Sequence, residues 1–132
     1  MNSVTGEITS IKVSGNISLV TIMAHTIFFK TLVVETPATA TWLKLYNKIN
    51  MIFKETEVVI GKGLEHPVSL QNKLPGKIIG IENGELMSQV KVDTVVGNIV
   101  AIISRDAVVQ LNLQVGETVS AMVKTNEIMI SQ

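Results

Sequence analysis

The side chains able to do chemistry in this chain of 132 residues are few and scattered. There is no cysteine, which removes a disulfide framework, a thiolate metal site and a cysteine nucleophile together. His25 and His66 stand alone, without the paired spacing of a metal site. His25 reads as a residue packed in a strand and His66 as part of a linker. No Gly-x-Ser-x-Gly elbow occurs. Glu82 with Glu85, and Glu55 with Glu57, are neighbours, but they read as turn and edge charges. Gly61-Lys62-Gly63 is too short for a phosphate loop and follows no strand-to-helix signal. By residue type alone, Lys54 and Lys124 are solvated strand ends, Gln71 and Asn72 satisfy turn backbone, and Ser104 is a helix N-cap. No general acid or base can be named, so an enzyme is not expected.

The elements that position these residues follow from composition and pattern. The formal net charge is +0, hydrophobic residues make up 46% and aromatics only 4%, so Val, Ile and Leu must build the core. Such β-branched content tilts the reading toward strands. Val13 to Phe29 carries no charge, yet it is interrupted by Ser14, Gly15, Asn16, Ser18, Thr21, His25 and Thr26 and is short for a bilayer helix of roughly 20 residues. Buried strands are expected there. The first residues lack a basic stretch followed by an apolar run, so no signal peptide is expected.

The chain repeats itself. Asn2-Ser-Val-Thr-Gly6-Glu-Ile8 lies over Asn72-Lys-Leu-Pro-Gly76-Lys-Ile78 without a gap. The same register places Ser18 over Ser88, Val20 over Val90, Leu43 over Leu113, Lys54 over Lys124 and Ile60 over Ile130. Alternation such as Ser88-Gln89-Val90-Lys91-Val92-Asp93 marks strands, separated by turn signals at 82–84, 96–98 and 114–117. One helix is expected in each copy. In the second, Ser104 caps Arg105 to about Leu111, with Asp106 favourable in the first turn. In the first, Thr36 caps a helix that starts at Pro37 and runs to about Tyr46. Each copy then has five strands with a helix between the third and fourth, the order of a small OB-like barrel. The expected fold is all-β: two tandem OB-like five-stranded barrels, each with one short helix. The expected units are residues 1–62 and 69–132, joined by a linker at 63–68.

The second copy resembles the Mop module of the molbindins, a TOBE-like molybdate-binding family. Such modules begin with a Ser-Ala-Arg-Asn-like tetrad and x-Leu-x-Gly; here stand Ser69-Leu70-Gln71-Asn72 and Lys73-Leu74-Pro75-Gly76. The Ile-x-x-Gly step is Ile81-Glu82-Asn83-Gly84, and the turn into the helix is Ile103-Ser104-Arg105-Asp106-Ala107. Leu111-Asn112-Leu113-Gln114-Val115-Gly116-Glu117-Thr118-Val119 and Lys124-Thr125-Asn126-Glu127-Ile128 complete the order. The first copy keeps the register with poorer motifs, so the whole chain resembles a di-Mop protein.

The resemblance implies a cytoplasmic protein that binds molybdate or tungstate, in sites formed between subunits of a homotrimer. A tetrahedral dianion wants donors converging from several sides. Carried onto matching positions, the implied oxyanion-binding residues are Ser69, Leu70, Gln71 and Asn72 of the tetrad, Ser104 at a helix N-terminus, and Lys124, Thr125 and Asn126 of the ending. Lys54 and Thr56 are their counterparts in the first copy. The departures are Gln71 for the family's Arg, Ala107 for a Ser, and Met87 for an Asn. In the first copy Val34 and Pro37 replace two hydroxyl residues. Binding is therefore expected to rest mainly on residues 69–126.

Storage or homeostasis of the oxyanion is the first functional expectation. A molybdate-responsive regulatory module acting through a protein partner is the alternative, since Mop pairs also occur as sensing domains. An OB-type nucleic-acid binder would need a basic groove and stacking aromatics, which neutral charge and few aromatics oppose. Neither a nucleic-acid nor a membrane partner is expected.

Overall fold

A computed structural model describes all residues, 1–132. Ten strands and one short helix form two five-stranded sheets. In chain order these are β1 (Asn2–Ser14), β2 (Ile17–Ala24), β3 (Ile27–Val33), β4 (Lys48–Phe53), β5 (Val59–Lys62), β6 (Asn72–Asn83), β7 (Met87–Thr94), β8 (Gly97–Ser104), helix α1 (Arg105–Gln110), β9 (Thr118–Val123) and β10 (Met129–Ser131). The tandem all-β, OB-like architecture is present. No helix is long and apolar enough to cross a membrane.

The long first strand of each repeat makes its sheet curl. The front of β1 pairs with β4 and its back half with β2, and β6 does the same with β9 and β7. A register shift falls between Ile8 and Ser10, and again between Ile78 and Gly80, where a bulge bends the strand. Gly6 and Gly76 stand just before these bends. A Cβ would lie 2.9 Å from the Met23 carbonyl oxygen at Gly6 and 2.6 Å from that of Asp93 at Gly76. Only glycine lets the crossing strand come so close.

The repeats exchange their last strands. The first sheet has the order β10-β4-β1-β2-β3 and the second β5-β9-β6-β7-β8. Thus β5, from the first repeat, completes the second sheet through Val59–Met122 and Ile60–Ala121 pairs. In return β10 joins the first sheet beside β4. The sequence units 1–62 and 69–132 therefore do not divide the sheets. One core cluster of 25 residues spans both halves, and equivalent positions such as Ile8 with Ile78 and Leu43 with Leu113 are buried together. Lys62 secures the exchanged β5: its ammonium donates to the Leu111 carbonyl oxygen at 2.6 Å and pairs with Glu117 at 3.0 Å. That hydrogen bond from Lys62, chiefly, holds the Glu117 carboxyl below its ordinary pKa.

The helix expected at Pro37–Tyr46 is absent, and residues 34–47 form turns instead. In the second repeat the Ser104 hydroxyl accepts the Ala107 N–H at 3.1 Å and so caps α1. The first repeat has Val34 at the hydroxyl position and Pro37 at the N–H position, so that cap has neither partner. Thr39 takes over the backbone: its hydroxyl accepts the Thr36 N–H at 2.9 Å and donates to the Thr36 carbonyl at 3.2 Å. Leu43 is still buried and Trp42 half-buried against the core, while Leu45 and Tyr46 are exposed. His25, expected inside a strand, occupies the exposed β2–β3 turn with φ 53°.

Candidate functional site

The expected residues separate into three places. The first is the start of β6 and the end of β9. Asn72 lies opposite Val123 in the ladder, so Gln71 and Lys124 flank the same end of the strand pair. Ser69 and Gln71 are exposed and Leu70 half-buried. Lys124 is exposed with extended backbone, and its carbonyl accepts the Glu127 N–H at 3.1 Å to close the 3-10 turn Thr125–Glu127. The Lys124 ammonium has no hydrogen bond or ion pair, and Asn126 is exposed beside it. Ser69, Gln71, Lys124 and Asn126 thus put exposed hydroxyl, amide and ammonium donors at this end of the β6–β9 pair, with no carboxylate paired to the cation.

Asn72 itself is committed. Its side-chain nitrogen donates to the Lys30 carbonyl at 2.9 Å, and the Lys30 N–H donates to its side-chain oxygen at 2.6 Å. The residue is 1% exposed. It acts as a piece of backbone that ties the second repeat to edge strand β3 of the first. The Thr31 hydroxyl reinforces this by donating to the Ile128 carbonyl at 2.9 Å. Asn72 is therefore a scaffold residue in the single chain, and its role as an anion ligand is not visible there.

The second place is the counterpart in the first repeat. Asn2 donates to the Val100 carbonyl at 2.8 Å and accepts the Val100 N–H at 2.9 Å. Lys54 follows β4, leads into the 3-10 turn Glu55–Glu57, and is exposed and unpaired; Thr56 is exposed on the turn. Glu55 occupies the position of Thr125. Its carboxylate meets the N-terminal ammonium at 3.0 Å. The hydrogen bond from its own backbone N–H, then that from the N-terminal ammonium, holds its pKa below the usual value. A carboxylate beside Lys54 opposes anion binding that Thr125 would favour.

Ser104 is the third place. It ends β8 opposite Met87, whereas Lys124 adjoins the start of β6, so the two lie at opposite ends of the second sheet. It is about 13 Å from Val100 along β8, at ~3.3 Å per residue, and so shares a strand with the Lys54 junction. The structure does not bring Ser104 to Lys124 within one chain. Sequence reasoning missed Lys30 altogether and missed the clasping role of Asn2. The alignment of Asn2 with Asn72, both at positions that begin a strand, was the available signal.

A tandem OB-like fold with such paired junctions belongs to a known class. Residues 69–130 match the TOBE domain family. The chain belongs to the family of TOBE-domain molybdenum-pterin-binding proteins. It is 38% identical over 64 residues to the probable molybdenum-pterin-binding protein of Haemophilus influenzae, covering 48% of this chain and 93% of that protein. It is 36% identical over 64 residues to molybdenum-pterin-binding protein 2 of Clostridium pasteurianum, covering 48% of this chain and 94% of that one. The whole fold is similar to a crystal structure of the cytoplasmic molybdate-binding protein ModG with molybdate bound. The TM-score is 0.89 at 19% identity, over 98% of this chain and 94% of that chain.

Proposed function

We propose that this chain binds molybdate or tungstate in the cytoplasm, for storage or homeostasis, and does no catalysis. The observation that carries the reading is the uncompensated Lys124 ammonium among the exposed amides of Gln71 and Asn126 and the half-buried Thr125. Family membership supports the same ligand. A charge-assisted hydrogen bond is roughly twice as strong as a neutral one, so a single placed lysine dominates such a site. One chain supplies only these few donors, while a tetrahedral dianion is satisfied from several sides. A neighbouring copy supplies the rest in this reading, and the assembly is a homotrimer.

Titration calorimetry with molybdate, tungstate and sulfate, together with native mass spectrometry, tests this. Molybdate or tungstate should bind a trimer. Lys124→Ala should weaken binding about tenfold or more, the worth of a charged hydrogen bond, with an unchanged circular dichroism spectrum. Absence of heat with all three anions, and no bound molybdenum or tungsten, would remove the reading. Normal binding by Lys124→Ala would move the site elsewhere.

A further inference from the structure

The two junctions share one backbone plan and differ in charge. At one, Asn72 clasps Lys30; at the other, Asn2 clasps Val100. We infer that Lys30, contributed by the first repeat, is the second cation of the oxyanion site at Lys124 and decides which junction fills. This rests on the oxyanion-binding reading above.

Backbone bonds place Lys30 there. Its N–H and carbonyl are both held by Asn72, at 2.6 and 2.9 Å, and Asn72 faces Val123, the neighbour of Lys124. Phe29 and Thr31 are buried on the inner face of β3, so Lys30 projects on the outer one, half-buried. The Thr31 bond to the Ile128 carbonyl, 2.9 Å long, fixes β3 against the turn that follows Lys124. Neither ammonium has a partner: the ion pairs of the molecule engage only Lys62 and the N-terminus. Glu127, the carboxylate on that turn, pairs with neither lysine. A dianion between two unpaired ammonium groups is attracted by both, and it offsets the repulsion that they would otherwise exert on each other.

The other junction lacks this arrangement. Val100 stands in place of Lys30, and Glu55 in place of Thr125. The N-terminal ammonium there is engaged by Glu55, and Lys91, the ladder partner of Val100, sits one strand further in on β7 with Asp93 on the same face. An anion arriving there meets Lys54 next to the Glu55 carboxylate, which the N-terminal ammonium already neutralises, and Lys91 on the same face as the Asp93 carboxylate. The expected loading is one strongly held anion per chain at these junctions, not two.

Calorimetry of the full chain with sodium molybdate at fixed ionic strength tests the inference. Lys30→Met keeps the stem and removes the charge. Lys77→Met is the matched control, on β6 about 16 Å from Asn72 at ~3.3 Å per residue. Lys30→Met should bind at least about tenfold more weakly, and Lys77→Met within about twofold of the parent. Val100→Lys combined with Glu55→Thr should add a second binding event. Unchanged affinity in Lys30→Met, or an equal loss in both single variants, overturns the role of Lys30 while leaving oxyanion binding in place. Unchanged stoichiometry in the double variant overturns the claim that this position selects the junction. If the parent chain itself gives no heat, the functional reading fails and the inference with it.

Discussion

Asn2 and Asn72 show how much a single buried amide can hold. Each side chain satisfies one N–H and one carbonyl on an edge strand of the opposite repeat. Asn72→Ala would strip both partners from the Lys30 backbone, and stranded buried polar groups are expensive. A loss of about 2–3 kcal/mol is expected from urea unfolding, and the same for Asn2→Ala, against about 0.5 kcal/mol or less for exposed Thr56→Ala. The sequence showed that the two asparagines are equivalent, because the repeat register aligned them. It could not show what they hold. Alternation reports which face a residue occupies, never which distant strand lies beside it. For the same reason motif order could point to Lys124, Thr125 and Asn126 as the proposed ligands but not to Lys30, whose backbone meets the junction only through contacts between the repeats.

Strands were the most legible elements: period-two alternation and turn residues marked those of the second repeat, and the repeat register carried them onto the first. The helices were half legible. Both copies carry start signals, Thr36-Pro37 and Ser104-Arg105-Asp106, but a start signal works only if the cap closes. In α1 it does, through the Ser104 hydroxyl and the Ala107 N–H at 3.1 Å. In the first repeat the Thr36 backbone is bonded within a single turn, by the Thr39 hydroxyl and the Ala40 N–H, and no helix continues from it. Ser104→Ala should therefore fray α1 and lower stability by about 1 kcal/mol, as N-cap losses do. Denaturant midpoints measure this, and a helix that withstands the change would show that tertiary contacts of Val108, not the cap, hold it. The left-handed turn before β4 makes a similar contrast. Gly116 has φ 93° where Tyr46 has φ 70°, so the first repeat carries a strained backbone position that the second fills with glycine.

At the scale of the whole molecule, the exchange of β5 and β10 makes each half depend on the other. Neither half alone can complete its sheet, and one continuous core crosses the boundary. Fragments 1–66 and 67–132 should therefore remain unfolded or aggregate when produced singly, and form a folded one-to-one complex when produced together. Size exclusion and circular dichroism distinguish these outcomes; a folded, monomeric single fragment would show that the exchanged strand is dispensable. Had two separate modules met as an ordinary homodimer, every substitution would appear on both sides of the dyad at once. Covalent joining lifts that constraint. Lys30 opposite Val100, and Thr125 opposite Glu55, are changes that a symmetric pair could never make independently. The linker thus gives the fold what a heterodimer has: two mutually bound faces free to diverge, with no risk of the wrong halves meeting.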